Sequence, residues 1–109
     1  MSNNQTLTEE PTIRFFKDLE LKTCGAAGIA IVYANEIHID EKYRNRPKLL
    51  ARLIEHEKRH FYYINQITPQ TSIWRKYWII LNNNIWDYFD CIKMQWLYFK
   101  IQHGWEKDE

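Results

Sequence analysis

Residues 47–64, PKLLARLIEHEKRHFYYI, decide how the rest of the chain is read. Pro47 suits the first position of a helix, where its missing N–H is not needed, and neither glycine nor proline recurs before Pro69. With residues set at 100° intervals, Leu49, Leu50, Leu53, Ile54, His56, Glu57, His60, Phe61 and Ile64 fall in one arc of about 160°, which predicts a one-sided amphipathic helix. Glu55, Lys58, Arg59, Tyr62 and Gln66 take the remaining arc. Two histidines and a glutamate therefore share the side that the leucines bury, and polar groups on a buried face need partners.

The spacing of those three residues, His56-Glu57-x-x-His60, has a chemical reading. Positions i and i+4 lie on one helical face, so two imidazoles can converge on one Zn²⁺ while Glu57 stands beside a metal-bound water as a general base. Zinc brings the pKa of such a water to about 7, so hydroxide becomes available to attack a carbonyl. A chance match to the string in a chain with four histidines is on the order of one in a hundred at ordinary residue frequencies. The position on the buried arc is what singles the motif out.

Upstream, Gly25-Ala26-Ala27-Gly28 breaks regular structure, Ile29–Tyr33 is apolar and β-branched, and Glu36–Asp40 alternates polar and apolar residues. With a turn at Ala34–Asn35 this predicts a β-hairpin, Ile37 and Ile39 on its dry face and Glu36, His38 and Asp40 on its wet face. His38 is expected to be exposed and without a functional role. Ile13–Leu21 is mixed in pattern and reads as a short strand, preceded by a polar, flexible arm over residues 1–11. A charged connector spans Asp40–Arg46. Downstream, Thr68-Pro69 punctuates the chain, and Ile73–Gln102 is helical in character with Gly104 as its stop. The run Asn82-Asn83-Asn84 is expected to divide it into two helices. The fold class expected is α+β: a small antiparallel sheet, the motif-bearing helix, then aromatic-rich C-terminal helices, with residues 12–109 forming a single domain.

Composition narrows the function. A chain of 109 residues with 15 Lys+Arg and 14 Asp+Glu has a net charge of +1, so no global field marks it as a nucleic-acid binder. The 45% hydrophobic and 16% aromatic content excludes disorder for most of the chain and suggests an aromatic core. The longest nearly apolar run, Ala26–Ala34, is far short of the roughly 20 residues of a membrane span. With no apolar stretch near Met1, a cytoplasmic location is expected. Cys24 and Cys91 read as free thiols without a catalytic role.

The hairpin Gly28–Asp40, the charged connector and Leu49–Glu55 leading into His56-Glu57-Lys58-Arg59-His60 together resemble the core of the small gluzincin-type zinc metallopeptidase domains over residues 25–64. The resemblance implies a minimal zincin-like fold, Zn²⁺ held by His56 and His60, Glu57 as catalytic base, and a peptide or protein substrate lying extended along a sheet edge. The family's third ligand is a glutamate on the following helix, often with an aspartate four residues on. Here Asn83 and Asp87 have that spacing and no glutamate is present, so the resemblance points to Asp87, or else to Asp90, as the third metal ligand. His103 is a further candidate, its alternative being a cap of the helix end. Lys58 and Arg59 stand where the family usually has uncharged residues, on the outward arc. One lobe alone implies a shallow groove, or one completed by a partner or by a homodimer.

A non-catalytic binding module is the competing class. Between Lys42 and His60, seven basic residues face only Glu55 and Glu57, a segment that could rest on nucleic-acid phosphates, although the near-zero total charge makes nucleic acid the weaker reading. All five tryptophans follow residue 73. They are read as core with some self-association, the alternatives being a partner surface or an interfacial helix.

Overall fold

The structure, a computed structural model, describes residues 10–108. Apart from Glu10 and Pro11, the expected N-terminal arm lies outside them. Among these residues the architecture is α+β: three strands, β1 (Thr12–Phe16), β2 (Gly28–Ile31) and β3 (Glu36–Asp40), and three α-helices, α1 (Leu19–Lys22), α2 (Pro47–Ile64) and α3 (Ile73–Gln102).

The hairpin forms as expected, β2 antiparallel to β3 with Ala30 opposite Ile37. Its turn is a single 3₁₀ turn, Val32–Ala34, closed by Asn35 at φ 53°, a left-handed conformation that asparagine tolerates. The sheet is mixed rather than purely antiparallel. β1 lies on the far side of β3 and runs parallel to it, giving the order β1-β3-β2. β2 runs the opposite way and takes the other flank of β3, so among the described residues its outer edge is unpaired.

The stretch Ile13–Leu21 is a strand only as far as Phe16. Asp18, at φ 57°, turns the chain into α1, and Leu19 buries itself. Asp40 is then drawn inward, against the expectation of a wet-face residue: it is 5% exposed and accepts hydrogen bonds from the amides of Glu20 (2.9 Å) and Lys42 (3.0 Å). Those bonds hold its carboxyl below the usual range despite burial. Tyr43 donates to Glu20 Oε1 at 2.8 Å, and its burial pushes the phenol well up. His38 is half-buried, paired with Glu36 at 2.8 Å and packed on the Phe16 ring.

The core is mainly aliphatic. Ile37 and Ile39 are fully buried, worth about 1.5–3 kcal/mol each, and Tyr43, Leu49, Leu53 and Phe61 complete it. The expected aromatic core does not form: Trp74, Trp78, Trp96 and Trp105 are exposed. Ile64, at the last position of α2, is exposed as well.

α2 has the predicted bounds. Arg46 offers its N-terminus no side-chain cap, and the chain's tail supplies one: Asp108 Oδ1 accepts from the amides of Lys48 (2.8 Å) and Leu49 (3.3 Å). α3 is one continuous 30-residue helix capped by Ser72 Oγ on the Arg75 amide, and the three asparagines do not divide it. Asn82 and Asn84 are exposed and Asn83 finds a side-chain partner, so none competes with the helical backbone. Gly104, at φ 72°, ends the turn beyond it.

Candidate metal centre

α2 and α3 pack against each other in opposite directions, and a polar ladder fills the contact. Arg52, His56 and His60 recur every four residues on α2, while Asn83, Asp87 and Asp90 recur at four and three on α3, so each set forms one stripe. At the outer rungs Arg52 Nη2 donates to Asp90 Oδ1 at 2.9 Å, and His60 Nδ1 lies 3.0 Å from Asn83 Oδ1. Between them His56 Nδ1 lies 2.7 Å from Asp90 Oδ2. The Nε2 atoms of His56 and His60 both point at Asp87 Oδ1, at 2.6 and 3.0 Å.

Asp90 Oδ2 and Asn83 Oδ1 both accept, so each favours a hydrogen on Nδ1 of the ring it faces. The Nε2 atoms of both rings and Asp87 Oδ1 form a set of three candidate ligand atoms within 4.8 Å of one another. Two imidazoles with a carboxylate are the donor types zinc takes.

Asp90, the other carboxylate considered as a ligand, sits on the far side of His56, where it orients the ring. Burial alone would raise its carboxyl, but the bonds from His56 and Arg52 outweigh that and hold it below the usual range. His103 is exposed at the C-terminal end of α3, about 24 Å from Asp87 along the helix. It packs on Phe99, with centroids 4.1 Å apart, and takes no part in the cluster.

Glu57 is 6% exposed and faces β2. Burial raises its carboxyl; His56 and His60 oppose that shift, Asp87 adds to it, and the Ala30 amide lowers it. A Cβ on Gly28 would come within 3.3 Å of Glu57 Oε2, so a side chain there would crowd the carboxylate. The four residues His56, Glu57, His60 and Asp87 open onto a cleft of about 770 Å³, bounded by β2 on one side and by Met94 and Tyr98 of α3 on the other. Cys91 lines the same cleft as a free thiol raised by burial, and Cys24 is free and exposed.

Sequence reasoning missed Arg52, the orienting role of Asn83, and Trp86, whose ring stacks on His56 at 4.8 Å and stands edge-on to His60 at 5.5 Å. Arg52 was legible as the residue one turn before His56. Trp86 carried no signal, being one of five tryptophans in the same third of the chain.

The competing basic segment is largely neutralised by partners far away in sequence. Lys42 pairs with Glu20, Arg46 with Asp108, Lys48 with Glu106, Arg52 with Asp90 and Lys58 with Glu10, and Arg44 pairs locally with Glu41. Arg59 lies over the Trp86 and Tyr63 rings. No helix among the described residues is long and apolar enough to cross a membrane. No family model, curated protein or solved structure matches the chain.

Proposed function

We propose that this domain is a zinc-dependent peptidase of minimal zincin-like form, with His56, His60 and Asp87 as metal ligands and Glu57 as general base. The convergence of two Nδ1-anchored histidines and one carboxylate oxygen carries this reading. A Zn²⁺ bound there would supply Lewis acidity and an acidified water at neutral pH.

The chain's own residues perform the remaining tasks. Asp90 and Asn83 hold the two rings in the tautomer that leaves Nε2 free, and Arg52 holds Asp90. Glu57, raised by burial, has a proton affinity closer to neutrality than an exposed glutamate, which suits a carboxylate that takes a proton from water and returns it to a leaving amine. The unpaired edge of β2 borders the cleft beside Glu57, where an extended peptide could add as a further strand and present a backbone carbonyl.

Elemental mass spectrometry on the purified protein tests the centre. Close to one zinc per chain is expected, lost in the double variant His56→Ala/His60→Ala; equal metal content in parent and variant overturns the assignment. Glu57→Gln is expected to keep zinc and lose cleavage of an unfolded casein substrate. Equal cleavage by parent and variant removes Glu57 from the chemistry.

A further inference from the structure

α3 is apolar on two opposite sides. Its inner side, with Ile79, Met94, Leu97 and Ile101, packs on the domain. Half a turn round the helix, Trp74, Trp78, Ile85, Tyr88, Ile92 and Trp96 form a continuous stripe, 47–76% exposed. A 30-residue helix is about 45 Å long, and the longest dimension of the molecule is 49 Å. From Trp74 to Trp96 the stripe runs along about 33 Å of that length, and nothing among the described residues covers it.

Charge and side-chain type identify what does. Asp87 and Asp90 are the only acidic residues of α3, and both turn inward to the histidines. The outer side has no negative charge. Arg75, Lys93 and Lys100 follow one flank of the stripe, and neither Arg75 nor Lys93 has an ion pair among the described residues, while Lys100 pairs with Glu106. Four of the six stripe residues are tryptophan or tyrosine, whose rings are apolar with a polar tip and favour the boundary between headgroups and acyl chains. A paired helix seam instead uses branched aliphatics that fit knobs into holes. A second copy on this stripe would bring its own Arg75 and Lys93 to a seam that has no acid to answer them.

We propose that the outer face of α3 lies flat on an anionic lipid bilayer surface, its rings sunk at headgroup level and Arg75 and Lys93 against lipid phosphates. The helix would lie in the interface and not span it. Asp87 and Met94, which line the cleft, lie about half a turn round α3 from Trp78 and Trp96, so the cleft stays clear of the rings that meet the lipid. This inference does not depend on the metal centre, and its test can be run with a chelator present.

Sedimentation of the full chain with lipid vesicles, read together with tryptophan emission, provides that test. Vesicles of phosphatidylcholine mixed with phosphatidylglycerol are expected to bind about tenfold more tightly than phosphatidylcholine alone, with a blue-shifted emission, and binding should weaken as salt rises. Arg75→Gln/Lys93→Gln should remove most of that preference. Trp78→Glu/Ile92→Glu should abolish binding with the circular dichroism spectrum unchanged, and Trp78→Ala/Ile92→Ala should weaken it if the charged pair fails to fold. Absence of vesicle binding by the parent chain overturns the proposal. So does binding that is indifferent to these variants, or a solution dimer in ultracentrifugation that the stripe variants dissociate while vesicles are ignored.

Discussion

The two long helices lie side by side yet are held in place differently. α2 is amphipathic in the ordinary sense: Leu49, Leu53 and Phe61 are buried, Lys58 and Arg59 are exposed, and of its polar residues on the buried side His56 and His60 belong to the ladder while Glu57 faces β2. α3 has no such single apolar face, because it is apolar both toward the domain and away from it. The N-termini differ as well, α3 being capped by its own Ser72 and α2 by Asp108 from the far end of the chain. A helix whose two sides are equally apolar can be placed only by its polar residues. The polar residues of α3 that reach α2 are Asn83, Asp87 and Asp90, so the polar ladder also fixes the rotation of α3 about its axis.

That contrast can be broken at several points. Leu53→Ala, in the buried stripe of α2, should cost about 2–5 kcal/mol in chemical denaturation; a loss below about 1 kcal/mol would mean that α2 is not anchored by its apolar face. Asp90→Asn should lower zinc affinity about 10–100-fold by competition with a chromogenic chelator, since it weakens the hold on the His56 tautomer; unchanged affinity would reduce Asp90 to a packing role. Asp108→Ala should cost about 1 kcal/mol by uncapping α2, with little effect on metal content, and an unchanged melting temperature would show that water replaces the cap. Ile85→Ala, on the outer stripe of α3, should change stability by no more than about 0.5 kcal/mol; a loss of core size would show that the stripe is covered in solution.

Much of this arrangement is legible in the chain's own order. The hairpin follows from alternation around Ala34–Asn35, and α2 follows from Pro47 and the leucine stripe, with bounds that agree residue for residue. The placing of His56, Glu57 and His60 on the buried side of that helix follows from the same periodicity. Other features were beyond such reasoning. Asp40 is polar in an alternating strand, and only the approach of α1 and the Glu20 amide makes its burial favourable. The asparagine run resembles a break, but three asparagines cost a 30-residue helix little when Asn83 is hydrogen-bonded to His60 and its neighbours are hydrated. The surplus of aromatic residues reads as core, and the small sheet simply has too little area to cover both sides of α3.

By itself the sequence determined much of what is local: the hairpin, α2, and which polar residues of α2 share a face with the apolar ones. Those properties depend on the 2.0 and 3.6 periods of the backbone and on nothing distant. The tertiary structure decided the pairings. Asp87 and Asp90 lie one turn apart on the same face of α3, and only the register between two antiparallel helices puts Asp87 on both Nε2 atoms and Asp90 on Nδ1. The same holds for the basic segment, whose charges are answered from Glu10, Glu20, Glu106 and Asp108, and for the outer side of α3, which the fold leaves bare. Charge and hydrophobicity are properties of a residue, but whether they are satisfied depends on what the fold brings within a few ångströms.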